Sequence, residues 1–200
     1  MSARIDSTRD GAIATVTLVN EDKLNAVTAQ MWRDLKAAFD TLSGDDSLRC
    51  VIVRGAGPAF AAGGDIGEFA ALRDTLERAR RLHEEWVAPA LAAVRDCLHP
   101  TIAAIRGPCI GGGLEIACAC DIRIAAADAR FGAPINRLGF SMAPDELAAV
   151  MAVTGPATAL ELLLEGRIIP ADEALRRGLV SRAVAVELFE ACLLYTSRCV

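Results

Sequence analysis

The stretch that decides the fold class of this 200-residue chain is TIAAIRGPCIGGGLEIACAC, residues 101–120. It begins with a short continuous apolar run at residues 101–105, which is typical of a strand buried on both faces. A turn at residues 107–108 and the glycine triplet 111–113 come next, and a helical pattern begins at Leu114. A buried strand that leads through a glycine-rich loop into a helix predicts an α/β fold with a ligand site at the loop.

The same alternation of apolar strands and helical segments extends through the rest of the chain. Strands are predicted at residues 12–19, 50–53, 101–105, 122–126 and 179–184. Helices are predicted at residues 27–42, 74–97 (bent near Pro89), 114–120, 145–153, 156–164 and 171–177. The loops 60–66 and 107–115 come after two of the predicted strands, at the end of the sheet where α/β folds bind their ligands.

Composition disfavours several classes of protein. With 53% hydrophobic and 24% charged residues the chain can fold around a core, and its net charge of −5 argues against a nucleic-acid partner. We find no signal-peptide pattern and no run near the roughly 18 apolar residues of a membrane span. The seven cysteines form no paired C-x-x-C motif, so we expect a cytoplasmic protein without a metal site.

The two glycine-rich loops allow two interpretations. Glycine lets backbone N–H groups approach a ligand closely, and a helix N-terminus such as the one after residues 111–113 favours a negative oxygen. If the loops face each other, one amide from each would point at the same oxygen and form an oxyanion hole. On spacing alone, the alternative of two tight, closely packed turns is favoured.

Glu115 is the candidate acid or base. It is the only charged residue in the run 110–120, and a carboxylate in apolar surroundings must be paired, exposed or functional. Burial would raise its pKa and the helix N-terminus would lower it, a balance that suits proton transfer. The alternative is an ion pair with Arg106 or Arg123.

The other polar residues are expected to have structural roles. Asp65 is expected to cap the short helix that comes after it. His83 and His99 are expected to face solvent, and Asp121 to serve in a turn or an ion pair. The charged run at residues 73–81 is expected to be a solvated helix face.

Several of these motifs, in this order, resemble the enoyl-CoA hydratase/isomerase (crotonase) family. The matching segments are FAAGGDI at 60–66, GPCIGGGLE at 107–115, CDIR at 120–123 and FGAP at 131–134. KLNA at 23–26 is similar to the first signature of the family, although Glu21 stands where a proline is usual. Residues 166–167 and 171–180 are similar to a later segment, so the resemblance covers about residues 12–190.

The resemblance implies a ClpP/crotonase-like spiral of ββα units whose C-terminal helical part is truncated here. It divides the chain into a crotonase-like acyl-CoA domain at residues 1–192 and a non-native or truncated tail at residues 193–200, where the amphipathic pattern stops. Members bind acyl-CoA thioesters, with coenzyme A as part of the substrate and no separate cofactor. They assemble as homotrimers or hexamers, which we therefore expect of a full-length protein.

The resemblance also assigns candidate site residues. The amides of Gly64 and Gly112 would form the oxyanion hole, and Glu115 would be the catalytic acid or base. The residues expected to contact coenzyme A or the acyl group are Lys23, Leu24, Ala26, Ala62, Asp65, Ile66, Ile110, Pro134, Ile135 and Gly139.

One departure from the family pattern affects the chemistry. Hydratases of the family carry a second glutamate directly after the position of Pro134, and this chain has Ile135 there, which cannot transfer a proton. Asp145 and Glu146 replace a segment that is normally glycine-rich and offer an acid at a helix start. A helix cap and first-turn charge is the favoured interpretation of this pair.

The expected function is therefore acyl-CoA processing of the enoyl-CoA hydratase or isomerase type. Dehydration, hydrolysis and decarboxylation of thioesters stay open, because an oxyanion hole serves all of them. Ile135 and the short C-terminus motivate an alternative, a CoA-thioester-binding or assembly subunit with impaired catalysis. An RNA-binding role is disfavoured by the acidic charge balance.

Overall fold

Two β-sheets form the framework of the computed structural model, which describes residues 2–200. The strands are β1 (Arg4–Asp10), β2 (Ile13–Val19), β3 (Cys50–Gly55), β4 (Thr101–Ile105), β5 (Pro108–Ile110), β6 (Ile122–Ala126), β7 (Arg130–Gly132), β8 (Ile168–Pro170) and β9 (Arg182–Val184). The larger sheet has the order β1-β2-β3-β4-β6-β9 and the smaller one β5-β7-β8. From β2 to β9 the larger sheet is parallel, whereas β1 pairs antiparallel with β2.

Helices connect and cover the strands. They are α1 (Ala29–Ser43), α2 (Phe69–Leu72), α3 (Leu76–Arg81), α4 (Ala88–Arg95), α5 (Gly112–Ala119), α6 (Pro144–Leu164), α7 (Ala171–Arg176) and α8 (Phe189–Cys199). Short 3-10 segments lie at Glu21–Lys23, Ile66–Glu68, Ile135–Leu138 and Val186–Leu188, and a π-helical segment lies at Leu82–Val87. One apolar core lies under α1, α4 and α5, and a smaller one joins the opposite face of the sheet to α8.

The predicted strands are all present, although the last is shortened to β9. The sequence did not predict β1, because its side chains are partly buried or exposed and mostly polar; it pairs with β2 through a turn at Gly11. It also did not predict β5, β7 and β8, since three residues are too few to show the period of a strand.

The predicted long helix at 74–97 is interrupted. It is divided into α3, the π-helical segment Leu82–Val87 and α4, and Pro89 stands in the first turn of α4. The wider π turn changes the direction in which the next side chains point, and such turns recur at functional sites. In this chain the segment carries His83 and Val87 to the wall of a cavity beside the glycine-rich loops.

Helix α6 unites the two helices predicted at 145–153 and 156–164. They meet at Gly155, whose φ of 74° and ψ of 162° are not helical, directly before Pro156. Among the described residues, α6 is the one helix long and apolar enough to cross a membrane by length and composition, so our expectation that no run comes near this size is wrong. The core helix of a soluble protein passes the same test, and neither part of the kinked helix reaches the roughly 20 residues of a span.

The amphipathic pattern does not stop at residue 193, contrary to the sequence-based expectation. Helix α8 continues to Cys199, Leu193 packs with Phe189 in the smaller core, and Arg182 Nη1 donates a hydrogen bond of 2.6 Å to Thr196 Oγ1. The division of the chain at residue 192 stays a prediction, as does the truncated or non-native origin of residues 193–200.

The loop that resembles the first family signature is held by one buried amide side chain. Asn25 is fully buried in the left-handed region at φ 58°, and its Oδ1 accepts from Asn20 N at 3.0 Å. Its Nδ2 donates to the carbonyls of Ala56 and Ala59, both at 2.8 Å. These bonds fasten the loop at 20–27 to the loop after β3.

We expect Asn25→Ala to destabilise the fold by about 2–4 kcal/mol, because it leaves buried backbone groups without partners. Urea denaturation followed by circular dichroism measures the loss. Lys36→Ala is the matched control: it removes an exposed i,i+4 pair with Asp40 and should change the free energy of unfolding by no more than about 0.5 kcal/mol. Equal effects of the two variants would contradict the role given to Asn25.

Candidate active site

The two glycine-rich loops are joined by backbone hydrogen bonds. Ala61 N donates to Pro108 O and Ile110 N donates to Ala61 O, both at 2.9 Å, so Ala61 and Cys109 form an isolated bridge. Glycine is needed at this contact, because a Cβ on Gly113 would lie 2.7 Å from Ala61 O. The loops therefore face each other, as the oxyanion-hole interpretation requires.

Gly64 and Gly112 lie side by side at this contact. A Cβ built on Gly112 would be 3.7 Å from Gly64 N. Within residues 2–200, neither amide donates a hydrogen bond to another backbone group, and Gly112 is the first residue of α5. The two N–H groups are thus close together and available, with the positive end of a helix at one of them.

Both glycines border a cavity of about 260 Å³ with largely apolar walls. Nine of the residues selected from the sequence line it: Ala62, Gly64, Asp65, Ile66, Ile110, Gly112, Glu115, Pro134 and Ile135. Walls that the sequence analysis did not select include Trp32, Phe69, Phe140 and Met142. A second cavity of about 890 Å³ adjoins the first and shares Phe69, Arg73, His83, Leu138, Phe140, Met142 and Glu146 with it.

Four selected residues, Lys23, Leu24, Ala26 and Gly139, do not line the cavity. Lys23 lies just outside it, where its Nζ is 2.7 Å from Asp65 Oδ2, and Leu24 O accepts from Ala62 N at 2.9 Å. Ala26 is buried, and Gly139 adopts a φ of 76° with open space around its Cα. The segment 23–26 thus contacts the loop at 60–66 without lining the cavity itself.

Asp65 has the structural role predicted from the sequence. Its Oδ1 accepts from Gly67 N at 3.0 Å and so caps the 3-10 segment Ile66–Glu68. The hydrogen bond from Lys23 and the cap together hold the pKa of this carboxyl below its usual value.

Glu115 is buried in the first turn of α5, with 6% of its surface exposed. Burial raises its pKa well above the usual glutamate value, the nearby Glu146 raises the pKa further, and Arg73 acts in the opposite direction. The alternative of an ion pair with Arg106 or Arg123 is wrong.

Both of those arginines are engaged elsewhere. Arg106 Nη2 lies 3.5 Å from Asp128 Oδ2. Arg123 donates to backbone carbonyls, among them Leu179 O at 2.8 Å and Cys120 O at 2.5 Å. Glu115 therefore faces the cavity without an ion-pair partner among the described residues, which is an arrangement suited to proton transfer.

Glu146 is a second carboxylate in the cavity wall. It is 3% exposed, and its Oε1 is hydrogen-bonded to Nδ1 of His83, which also lines the cavity. Asp145 and Glu146 do lie in the first turn of α6, as predicted, but no side chain among the described residues caps this helix, so the predicted cap is wrong, and Glu146 is buried. The expectation that His83 faces solvent is also wrong. A signal was available: Glu146 lies four residues before the buried Val150, on the same face of α6.

Arg73 was expected on a solvated helix face and instead lines the cavity. Its guanidinium lies over the rings of Phe69 and Phe140, at 4.2 and 4.3 Å from their centroids, and its Nε is buried without a hydrogen-bond partner among the described residues. Burial lowers its pKa. The solvated-face prediction does hold for Arg78, Arg80 and Arg81, which are exposed.

The two remaining candidates lie away from the cavity. Asp121 has a structural role, as predicted, but through hydrogen bonds rather than an ion pair: it accepts bonds of 2.8 Å from both N and Oγ1 of Thr101. The expectation of a solvent-facing His99 is wrong for one ring atom, since Nε2 is buried and has no hydrogen-bond partner within residues 2–200.

Comparisons of this chain with known proteins all indicate the same family. Residues 8–196 match the family model described as enoyl-CoA hydratase/isomerase. A probable enoyl-CoA hydratase of Mycobacterium bovis is 38% identical over 179 residues, which cover 90% of this chain and 68% of the relative. A probable enoyl-CoA hydratase of Rhizobium meliloti is 35% identical, with 88% of this chain and 66% of the relative covered.

Solved structures of the same family superpose closely on this chain. An enoyl-CoA hydratase/carnithine racemase of Magnetospirillum magneticum superposes with a TM-score of 0.96 at 50% identity, covering 100% of this chain and 74% of that one. An enoyl-CoA hydratase/isomerase of Xanthobacter autotrophicus Py2 gives 0.91 at 32% identity, covering 100% and 73%. The predicted crotonase-like α/β fold is confirmed, and the chain belongs to the enoyl-CoA hydratase/isomerase (crotonase) family.

Proposed function

We propose that this chain binds an acyl-CoA thioester and carries out hydration or isomerisation of its enoyl group, with Glu115 as acid or base. One observation carries the proposal: a buried carboxyl lines the same small cavity as two adjacent, unbonded amides, those of Gly64 and Gly112. In this proposal the thioester oxygen lies between the two amides, and the acyl chain enters the cavity.

The chemistry depends on where charge develops. When a proton leaves the α-carbon, or when water adds to the β-carbon, the thioester becomes an enolate with negative charge on its oxygen. Two N–H donors and the N-terminus of α5 stabilise that charge. Because burial raises its pKa, the protonated form of Glu115 is favoured, and that form can deliver a proton to the α-carbon of the enolate.

The coenzyme A moiety is proposed to lie outside the cavity, along the loops at 23–26 and 62–66. Ile66 and Leu24 offer exposed apolar surface there, with 63% and 47% of their surfaces accessible. The Nζ of Lys23 is held beside Asp65 at the same place. These residues would contact the nucleotide and the pantetheine arm while the thioester reaches Gly64.

Glu115→Gln is expected to lower the turnover of crotonyl-CoA and of a 3-enoyl-CoA by about 10²–10⁴-fold, because the amide keeps the shape of the side chain and cannot exchange the proton. Chromatography with mass spectrometry of the products measures the rates. Turnover at the rate of the unaltered protein would exclude Glu115 as the acid or base. Tight acyl-CoA binding by calorimetry without conversion by either protein would instead support the alternative of a binding or assembly subunit.

Gly112→Ala keeps the backbone N–H, but its Cβ is expected to displace that donor and so reduce turnover by about 10²–10³-fold, as when one oxyanion donor is removed. The added Cβ would lie 2.9 Å from Trp32 Cζ2 and 3.7 Å from Gly64 N, so it disturbs the place proposed for the thioester oxygen. Gly44→Ala, at the open C-terminal end of α1, is the matched control and should leave turnover unchanged. Similar rates for the two variants would contradict the proposed hole.

The raised pKa of Glu115 also predicts a pH dependence of stability. The folded state keeps the proton above the ordinary value of 4.5, where the unfolded chain releases it. The contribution of Glu115 to the free energy of unfolding therefore falls as pH rises from 4.5 towards the pKa of the folded state. Glu115→Gln lacks this contribution, so its stability relative to the unaltered protein should increase with pH. Denaturant titrations at several pH values test this, and parallel curves would refute it.

A further inference from the structure

Hydratases of the family carry a second glutamate directly after the position of Pro134. In this chain that position contributes no proton-transfer group to the cavity. Ile135 occupies it, and its side chain lines the cavity wall. The ionisable side chains that do line the cavity are Asp65, Glu68, Arg73, His83, Glu115, Arg137 and Glu146. A second acid or base for the proposed reaction must come from this set.

Several of these groups are engaged in contacts that hold the fold. Asp65 binds Lys23 and caps a helical turn. Glu68 Oε2 accepts from Ala29 N at 2.7 Å, at the start of α1. Arg137 Nη2 donates to a backbone carbonyl at 3.2 Å. A change of partner at any of these three during a reaction would loosen a contact that holds the fold.

Glu146 differs from them in its surroundings. Its side chain is bonded through Oε1 to Nδ1 of His83, and that histidine belongs to the same cavity wall rather than to a loop that Glu146 would hold in place. Glu146 stands in the first turn of α6, which packs against α5, and its charge acts on Glu115. Besides Asp65 and Glu68, the cavity therefore has two carboxyl groups, one on each of two packed helices.

We propose that Glu146, oriented by His83, is the second acid or base of this site and performs the role for which Ile135 is unsuited, so that the chain catalyses the reversible addition of water to an enoyl thioester. This inference rests on the function proposed above. In this proposal Glu146 acts on the reacting water directly, since it lines the same cavity as Glu115 and the two amides, and His83 is a positioning residue that acts through it.

Atoms and electrons balance in this addition. A water molecule gives a proton to the Glu146 carboxylate while its oxygen forms a bond to the β-carbon. The π electrons of the carbon–carbon double bond move to form the enolate, whose oxygen is held by the two amides. Glu115 then gives its proton to the α-carbon. Exchange with solvent water returns one proton from Glu146 to Glu115, and the net change is the addition of one water molecule.

The electrostatics of the pair suit this division of roles. The two carboxyls line one largely apolar cavity, and burial together with the charge of Glu146 raises the pKa of Glu115, which favours the protonated form of Glu115 beside Glu146. Hydration needs that state, in which one group accepts a proton and the other donates one. The cation of Arg73, between Phe69 and Phe140, offsets part of the remaining negative charge.

Two reactions separate the roles of the carboxyls. The first is hydration of crotonyl-CoA; the second is exchange of the α-hydrogens of butyryl-CoA in D₂O, followed by mass spectrometry, which requires no water addition. Glu146→Gln should lower hydration by about 10²–10⁴-fold and leave α-hydrogen exchange within about threefold. Glu115→Gln should lose both reactions.

The matched control is Asp145→Asn, which removes the same charge from the neighbouring exposed position of α6 and should leave both rates unchanged. His83→Ala should lower hydration while α-hydrogen exchange continues, and His83→Asn, which keeps a donor near Nδ1, should restore part of the hydration rate. The histidine variants also test the proposal independently of whether Glu146→Gln folds.

Hydration by Glu146→Gln at the rate of Asp145→Asn would overturn the inference and leave the proposed function of Glu115 intact. Equal loss of both reactions in folded Glu146→Gln would also overturn it, since that result indicates general support of the cavity. If the unaltered protein performs neither reaction, the proposed function fails and the inference fails with it.

Discussion

The site depends on the backbone bridge between Ala61 and Cys109. It joins the loop after β3 to the strand β5, which leads into α5. Because these hydrogen bonds belong to the main chain, the close approach of Gly64 and Gly112 is fixed by the fold and not by any flexible side chain. Gly113 is part of the same constraint, since the absence of a Cβ there allows Ala61 O to lie so close.

Several ionisable side chains line the largely apolar cavity beside this bridge. Glu115, Glu146, His83 and Arg73 come from four different segments, and most of the other cavity walls are hydrophobic. Low polarity strengthens the interactions among these groups and raises the pKa of Glu115. The apolar surroundings that make a carboxyl costly to bury also raise its pKa, and a raised pKa suits Glu115 to proton transfer.

Much of the framework could be predicted from the sequence, because strands such as β3 and β4 are continuous apolar runs and the glycine loops stand directly after them. Glu115 was recognisable as a lone carboxylate in apolar surroundings. The cavity positions of His83 and Arg73 were not recognisable, because each residue lies in a highly charged run and its environment is set by contacts with distant residues. His83 meets Glu146 across 63 positions of sequence, and no local pattern reports such a pairing.

Phe69, Arg73 and Phe140 contact one another and line both the small cavity and the larger one beside it. Such cation–ring contacts contribute on the order of 1 kcal/mol each, far less than the hydrogen-bonded framework of a sheet. The wall that the two cavities share is therefore formed here by side chains rather than by main-chain hydrogen bonds. Substitutions of these two rings and the guanidinium would therefore reshape the wall shared by the two cavities and leave the backbone contact between the glycine-rich loops unchanged.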